Sequence, residues 1–230
     1  MLLKRKWPWL GTQLWQNILF LHWPVNEQDL RKFVPKPFTI DKFNETAWIS
    51  IVLFTADQSN FRYAPSLFAY PTFKQLNVRT YVRFGDERGV YFCSLYTNDW
   101  LVAKGGRTFG LPFSQIQMSQ LEMEKGLRFS IANDFCVNYF PKNKPYTPSK
   151  DSLEQFLTER YCIWFVRGKH IIKFPIHHEN WTLQNVTVNL DKRESLLQAF
   201  PLLETQPIAH YAKEMMSYAH LYEKFAIYKN

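Results

Sequence analysis

The chain has 230 residues, 46% of them hydrophobic and 17% aromatic, with a formal net charge of +8 and a pI near 9.3. That composition supplies a sizeable core and excludes a disordered or low-complexity chain. Three cysteines, Cys93, Cys136 and Cys162, without any Cys-x-x-Cys spacing, argue against a disulfide framework or a zinc site and suit a reducing compartment.

The N-terminal stretch MLLKRKWPWLGTQLW is basic but has no uninterrupted apolar segment and no small-residue cleavage site. NILFLHWPV is too short to span a bilayer. A soluble cytoplasmic protein with no membrane partner is therefore expected. Residues 16–23 predict a first strand. Asn26 caps a short helix after it, with Leu30 and Phe33 on one face, and Pro35 and Pro37 end it. TAWISIVLF, 46–54, is a dense β-former run and predicts a strand buried on both faces. The polar, aromatic, proline-punctuated stretch 55–73 reads as a long loop, of the kind that forms lids or rims.

The clearest hairpin joins 74–84 to 90–97 through GDERG. Alternation puts Val78, Thr80 and Val82 on one face of its first strand and Asn77, Arg79, Tyr81 and Arg83 on the other. Further strands are expected at 115–123, 127–133 and 135–140. A Pro/Lys loop follows at 141–150, then a short helix at 151–161 with Asp151 and Glu154 in a capping-box pattern. A second hairpin turns at Gly168-Lys169, and NWTLQNVTVNL is another alternating strand. The tail, 208–222, fits helical and strand spacing alike. With no repeat and no linker, one domain over 1–230 is expected, mainly β with a few short helices. So many strands with so few helices to cover them suggest a closed antiparallel barrel.

Seven segments, LFLHWPV (19–25), AWISIVLF (47–54), NVRTYVR (77–83), GVYFCSL (89–95), RTFGLP (107–112), ERY (159–161) and HHENWTL (177–183), resemble in order and spacing the YqjF-like family of uncharacterised proteins. The match covers about residues 15–190. The resemblance implies an acetoacetate decarboxylase-like fold, a β-barrel around a central pocket. Acetoacetate decarboxylases condense a lysine with a ketone in a motif resembling Arg-Glu-x-x-Gly-Phe-Pro-Lys-Lys. Here the frame is Gly110-Leu111-Pro112, followed by Phe113 and Ser114 where the lysine pair would stand. Thr108 replaces the glutamate. Lys104, the amine nearest to this motif, precedes Phe113 by nine residues and is expected to face solvent. A lysine-dependent decarboxylase is therefore disfavoured, and whether the chain is an enzyme is left open.

The expected function is binding of a small, partly apolar anionic carboxylate or carbonyl compound in a barrel cavity. Arg79 is the leading contact: a guanidinium facing a dry interior needs an anion or a dense hydrogen-bond shell. The bland reading is a structural salt bridge from Arg79 to Glu159, Glu179 or another acid. Arg107, set behind two glycines, is a second candidate, and its alternative is an exposed loop arginine. Tyr81 and Trp181 are candidate walls. His22 and the pair His177 and Glu179 are candidates for a polar rim. No metal site and no cofactor are expected. A second reading has histidine or glutamate doing acid–base chemistry on a carbonyl compound. A third is nucleic-acid binding through the basic surface, but no such motif or charge stripe is present. A homo-oligomer is compatible with the sequence.

Overall fold

The computed structural model describes residues 9–62, 70–131, 134–193, 198–200 and 205–226. The basic cluster at 4–6, the middle of the expected loop at 63–69 and the end of an expected strand at 132–133 lie outside these. In chain order the elements are β1 (Trp9–Val25), α1 (Glu27–Arg31), β2 (Thr39–Ile40), β3 (Ala47–Phe61), β4 (Phe73–Phe84) and β5 (Glu87–Thr97). They continue with α2 (Trp100–Phe109), β6 (Phe113–Gln115), β7 (Met118–Met123), β8 (Gly126–Ile131) and β9 (Phe135–Tyr146). The last are α3 (Leu153–Thr158), β10 (Cys162–Arg167), β11 (His170–His178), β12 (Leu183–Arg193), β13 (Ile208–His220) and β14 (Glu223–Ala226).

Seven strands close into a barrel in the order β11-β10-β5-β4-β3-β1-β13, and β13 pairs back onto β11 through Ile176 with Ala219, His177 with Tyr218 and His178 with Ser217. All of these pairings are antiparallel except β5 with β10. From β13 the sheet continues through β12, β9, β8 and β7, which form a flanking layer. Leu19, Leu21, Ile49, Ile51, Leu76 and Val78 of the barrel strands share a buried cluster with Phe129, Ile131, Val137 and Tyr139 of that layer. Alternation therefore has an unusual consequence here. The outward faces of β1, β3 and β4 are buried too, which is why β3 reads as a continuous apolar run.

Bulges set which side chains face inward. Along β1 the register to β3 shifts between Gln16 and Leu19, where Asn17 takes φ 52°. The extra residue switches the inward set from Trp15 to Ile18 and Phe20, so all three line the interior. In β5 the register shifts opposite Val78 and Arg79, and the inward set passes from Val90 and Phe92 to Leu95 in the same way. This second bulge lies directly beside Arg79.

Most sequence expectations hold, and several need correction. Both hairpins and α1 form, with the Asn26 side chain accepting from the Gln28 amide at 2.8 Å. The supposed loop at 55–73 begins as strand, since β3 runs to Phe61, and Phe73 already belongs to β4. The 141–150 loop is strand through Tyr146, paired with β12 despite its prolines. The tail forms β13 and not a helix, because it has β1, β11 and β12 to pair with. α3 is capped by Ser152, which accepts from Gln155; Asp151 sits one residue earlier at φ 60°. α2 was not expected. Asp99 caps it and Gly110, at φ 101°, ends it. Its Gly-Gly step looks like a helix breaker, but a Cβ at Gly106 would fall 2.1 Å from the Phe113 ring. That glycine is required by close packing against β6.

Candidate functional site

The barrel encloses a cavity of about 250 Å³, small even for a metabolite site. Most of its wall is apolar: Ile18, Phe20, Val52, Phe54, Phe92 and Trp181 among others. Its cations are Arg79 and Arg160, and among the described residues that line it there is no Asp or Glu. Phe61, 64% exposed, and Asn60 lie along its open end with Gly11 and Ala219.

Arg79 reaches the interior from β4 between Asn77 and Tyr81, both buried. Its Nη2 donates to the Leu157 carbonyl at 3.1 Å, while its Nε is buried without a hydrogen-bond partner. The guanidinium carbon lies 5.7 Å from the Phe20 ring centre and 6.0 Å from that of Tyr81. The expected salt bridge does not form. Glu159 instead accepts from the Trp181 amide at 2.8 Å and pairs with the Tyr161 hydroxyl, and Glu179 is exposed. Arg79 is thus a cation in an apolar chamber with no ion pair among the described residues.

Beside it runs a chain of buried polar groups. The Tyr81 hydroxyl donates to the Leu157 carbonyl at 2.8 Å, the same oxygen that Arg79 uses. Tyr81 has one proton, so the 2.6 Å contact with Ser50 must be donated by Ser50. Ser50 in turn has one proton, so at 2.6 Å the His22 Nδ1 must be the donor. A carbonyl, which can only accept, fixes the direction of the whole chain. It leaves the Nε2 of a neutral His22 as a bare lone pair, and that atom is buried without a partner. His22 is fully buried, with the His210 ring centre 5.5 Å away. Burial, then His210 and Arg79, hold its pKa well below the usual histidine range. His210 is lowered by burial as well.

The other candidates are dispersed. His178 faces the cavity, not His177, because Phe174, Ile176 and His178 form the inward set of β11. Its Nδ1 meets the Glu179 carbonyl at 2.7 Å, and burial lowers its pKa. His177 and Glu179 therefore form no joint group in the cavity: His177 lies in an outer groove with Glu87 and Lys173. Trp181 does line the cavity. Its indole donates to the Thr158 carbonyl at 3.0 Å and stacks on Trp15 at 6.2 Å. Arg107 belongs to the exposed last turn of α2 and donates to the Phe113 carbonyl at 3.3 Å. It lines an external recess and not the barrel cavity. Lys104 is exposed on α2, over the Trp100 ring. Tyr81 and His22 lie in the polar chain and do not line the cavity, so His22 is no part of a rim. The Cys93 and Cys162 thiols are pushed up to about 12 by burial, which keeps them protonated and poorly nucleophilic at neutral pH. Among the described residues no group of three or more His, Cys, Asp or Glu could hold a metal, and no helix is long and apolar enough to cross a membrane.

Arg160 was not singled out by sequence reasoning. It follows α3, and its partner Asp41 is 119 residues away in the chain. Only the sequence triplet Glu-Arg-Tyr hinted at it.

Comparison with known proteins places this architecture. Residues 12–216 match the DUF2071 family, described as an uncharacterized conserved protein. The chain belongs to the DUF2071 family. It is also 34% identical over 214 residues to the uncharacterized protein YqjF of Bacillus subtilis (strain 168), covering 90% of this chain and 88% of that one. Among solved structures, DUF2071 here shares the acetoacetate decarboxylase-like fold. The enduracididine biosynthesis enzyme MppR, complexed with pyruvate, superposes with a TM-score of 0.70 at 9% identity, over 98% of this chain and 93% of that one. An acetoacetate decarboxylase-like enzyme from Sphingomonas wittichii RW1 gives 0.66 at 8% identity, over 96% and 95%. The acetoacetate decarboxylase of Legionella pneumophila gives 0.65 at 10%, over 95% and 90%. At such identities the likeness concerns the fold alone.

Proposed function

We propose that this DUF2071 protein binds a small, partly apolar organic anion, a carboxylate or carbonyl compound, inside the barrel, with Arg79 as the partner of its charge. The observation that carries the reading is the uncompensated Arg79 guanidinium in a cavity whose described lining has no acid. A half-buried cation without a counter-ion in an apolar cavity is costly, and a carboxylate supplies both the charge and the planar acceptor pair that a guanidinium matches. Rings from Phe20, Phe92 and Trp181 suit the apolar remainder of the ligand. Phe113, where the motif resemblance would put a lysine, adds another ring to the wall. Binding accordingly proceeds without a Schiff base. Pyruvate, the acid named with the enduracididine enzyme, is the first probe.

Calorimetric titration of the wild type and of Arg79→Ala and Arg79→Lys with pyruvate tests this. Saturable binding by the wild type is expected, lost in Arg79→Ala and weakened at least tenfold in Arg79→Lys, with all three folded by circular dichroism. Equal binding by a folded Arg79→Ala variant would refute the assignment. Borohydride trapping of a covalent adduct would refute the amine-free mode.

A further inference from the structure

The two ends of the barrel differ in how their charges are matched. β1, β4 and β11 run one way, while β3, β5, β10 and β13 run the other. The starts of the first three and the ends of the other four therefore share one end of the barrel. At the opposite end cations stand beside acids. Lys32 pairs with Asp29 at 2.8 Å, Lys42 with Glu45 at 2.9 Å and Glu27 at 3.3 Å, and Arg160 with Asp41 at 2.8 Å. At the first end Arg62 follows β3, Lys104 lies on α2 beyond β5, and Arg167 and Lys169 flank the turn between β10 and β11. All four are exposed, and none is in an ion pair among the described residues. Asp99, at the start of α2, is engaged by the Val102 amide at 2.9 Å and the Tyr70 hydroxyl at 2.7 Å. Glu223 stands 3.5 Å from Lys173.

The same end carries exposed apolar side chains. Phe61 is 64% exposed, Trp100 55%, Leu101 48%, Leu221 49% and Tyr222 44%. One such residue is ordinary, but a group of them marks a contact surface. Their elements adjoin. Phe61 stands opposite Gly11, which pairs with Ala219, two residues before Leu221. The Tyr222 ring meets Phe109 of α2 at 5.3 Å. Cations are set among the rings: Lys104 lies 5.7 Å from the Trp100 ring centre, Arg62 5.3 Å from that of Trp9, and Arg167 5.8 Å from that of Phe109. Exposed rings and leucines with lysine and arginine between them suit the headgroup region of a bilayer, where rings sit at the apolar boundary and cations meet phosphates.

We propose that this end of the barrel docks on an anionic lipid bilayer, with Trp100, Leu101 and Tyr222 entering the headgroup boundary and Arg62, Lys104, Arg167 and Lys169 set against lipid phosphates. A membrane partner was not expected, since the sequence has no spanning segment, but attachment to a surface needs none. An acidic polypeptide would meet the cations and leave the rings bare. A second copy of this chain, docked face to face, would bring like charges together. Docking would set the open end of the cavity, with Phe61 and Asn60, against the bilayer. The proposal does not depend on what the cavity binds.

The test is co-sedimentation of the protein with vesicles of phosphatidylcholine alone or mixed with phosphatidylglycerol. Each cation near an anionic leaflet strengthens attachment by about a factor of five. Binding to the mixed vesicles is therefore expected to exceed that to phosphatidylcholine by roughly tenfold or more, and to fall as salt is raised. Lys104→Gln/Lys169→Gln should weaken it roughly tenfold or more. Lys32→Gln/Lys42→Gln makes the same charge change at the opposite end and should alter it less than about threefold, because those lysines are already paired and lie beyond screening range. Trp100→Ser/Leu101→Ser should weaken binding even at low salt. Circular dichroism should show all variants folded. Equal binding to both lipids, no binding to the mixed vesicles, or equal losses in the two lysine pairs would each overturn the proposal, the last by assigning attachment to net charge alone. Capture of polyglutamate without vesicle binding would overturn it in favour of an acidic partner. A dimer in light scattering that Trp100→Ser/Leu101→Ser dissociates would overturn it in favour of a second copy.

Discussion

The two faces of the strand β4 meet two different interiors. Outward, Leu76, Val78 and Val82 are fully buried in the core shared with the flanking sheet. Inward, Asn77, Arg79 and Tyr81 are enclosed by the barrel with His22 and Ser50. A stable fold needs only the first kind of interior. Each holds a buried atom without a partner, Trp164 Nε1 in the first and His22 Nε2 in the second, but the second adds them on two guanidinium groups, Arg79 and Arg160, an arrangement that burial alone would eliminate. The difference teaches a division of labour. The flanking layer holds the barrel together from outside, which frees the inside to be polar where a ligand would need it.

Substitutions on the two faces should therefore separate stability from binding. The largest effect is expected from Leu21→Ala, which opens a hole in the outer core where Leu21 is fully buried. It should cost about 2–5 kcal/mol in urea unfolding and leave ligand affinity unchanged at temperatures where the protein stays folded. A loss of under about 1 kcal/mol by that same measure of cavity cost would mean that the outer core is not the main support. Tyr81→Phe removes the hydroxyl that links Leu157 to Ser50. A cost of about 1–3 kcal/mol is expected for unsatisfied buried partners, and the Ser50–His22 protons would be free to reverse. Nitrogen-15 NMR should show His22 protonated on Nδ1 in the wild type. An Nε2-protonated ring would break the deduced direction of the chain.

A smaller effect is the pH dependence. Burial lowers the pKa of His22, His178 and His210 in the folded protein. The unfolded chain takes up protons near about 6.5 while the folded one does not. Stability is therefore full above that pH and falls as the pH drops below it. His22→Gln should flatten part of this fall in denaturant titrations between neutral and mildly acidic pH. An unchanged profile would place the titration elsewhere. The smallest stability effect is expected at Arg79 itself. Arg79→Ala removes an uncompensated cation and should be close to neutral or stabilising. A strong loss of stability would make Arg79 part of the scaffold and collapse the distinction between the two interiors.

What the sequence made legible follows from the range of the interactions involved. The hairpins, the Asn26 cap and the alternation along 74–84 are local, and they place Asn77 and Arg79 on the face that lines the cavity as found, with Tyr81 on the same face in the adjoining polar chain. The number of strands with few helices to cover them suggested the barrel, and the resemblance of seven short segments supplied its fold family. Where a neighbour distant in the chain decides, local reading failed. Gly106 sits in a helix because Phe113 packs on it, and 208–220 is a strand because β1 is there to pair with. In the site, alternation could not tell which of His177 and His178 faces inward without knowing the register of β11. Arg107 was misplaced with the undetected helix, and Arg160 was invisible without Asp41.

The most direct measurement is a crystal structure of the protein soaked with pyruvate. The expected result is density for a carboxylate within hydrogen-bond distance of the Arg79 guanidinium inside the barrel. Arg79 turned away onto a protein acid, or pyruvate bound only on the outer surface, would contradict the account.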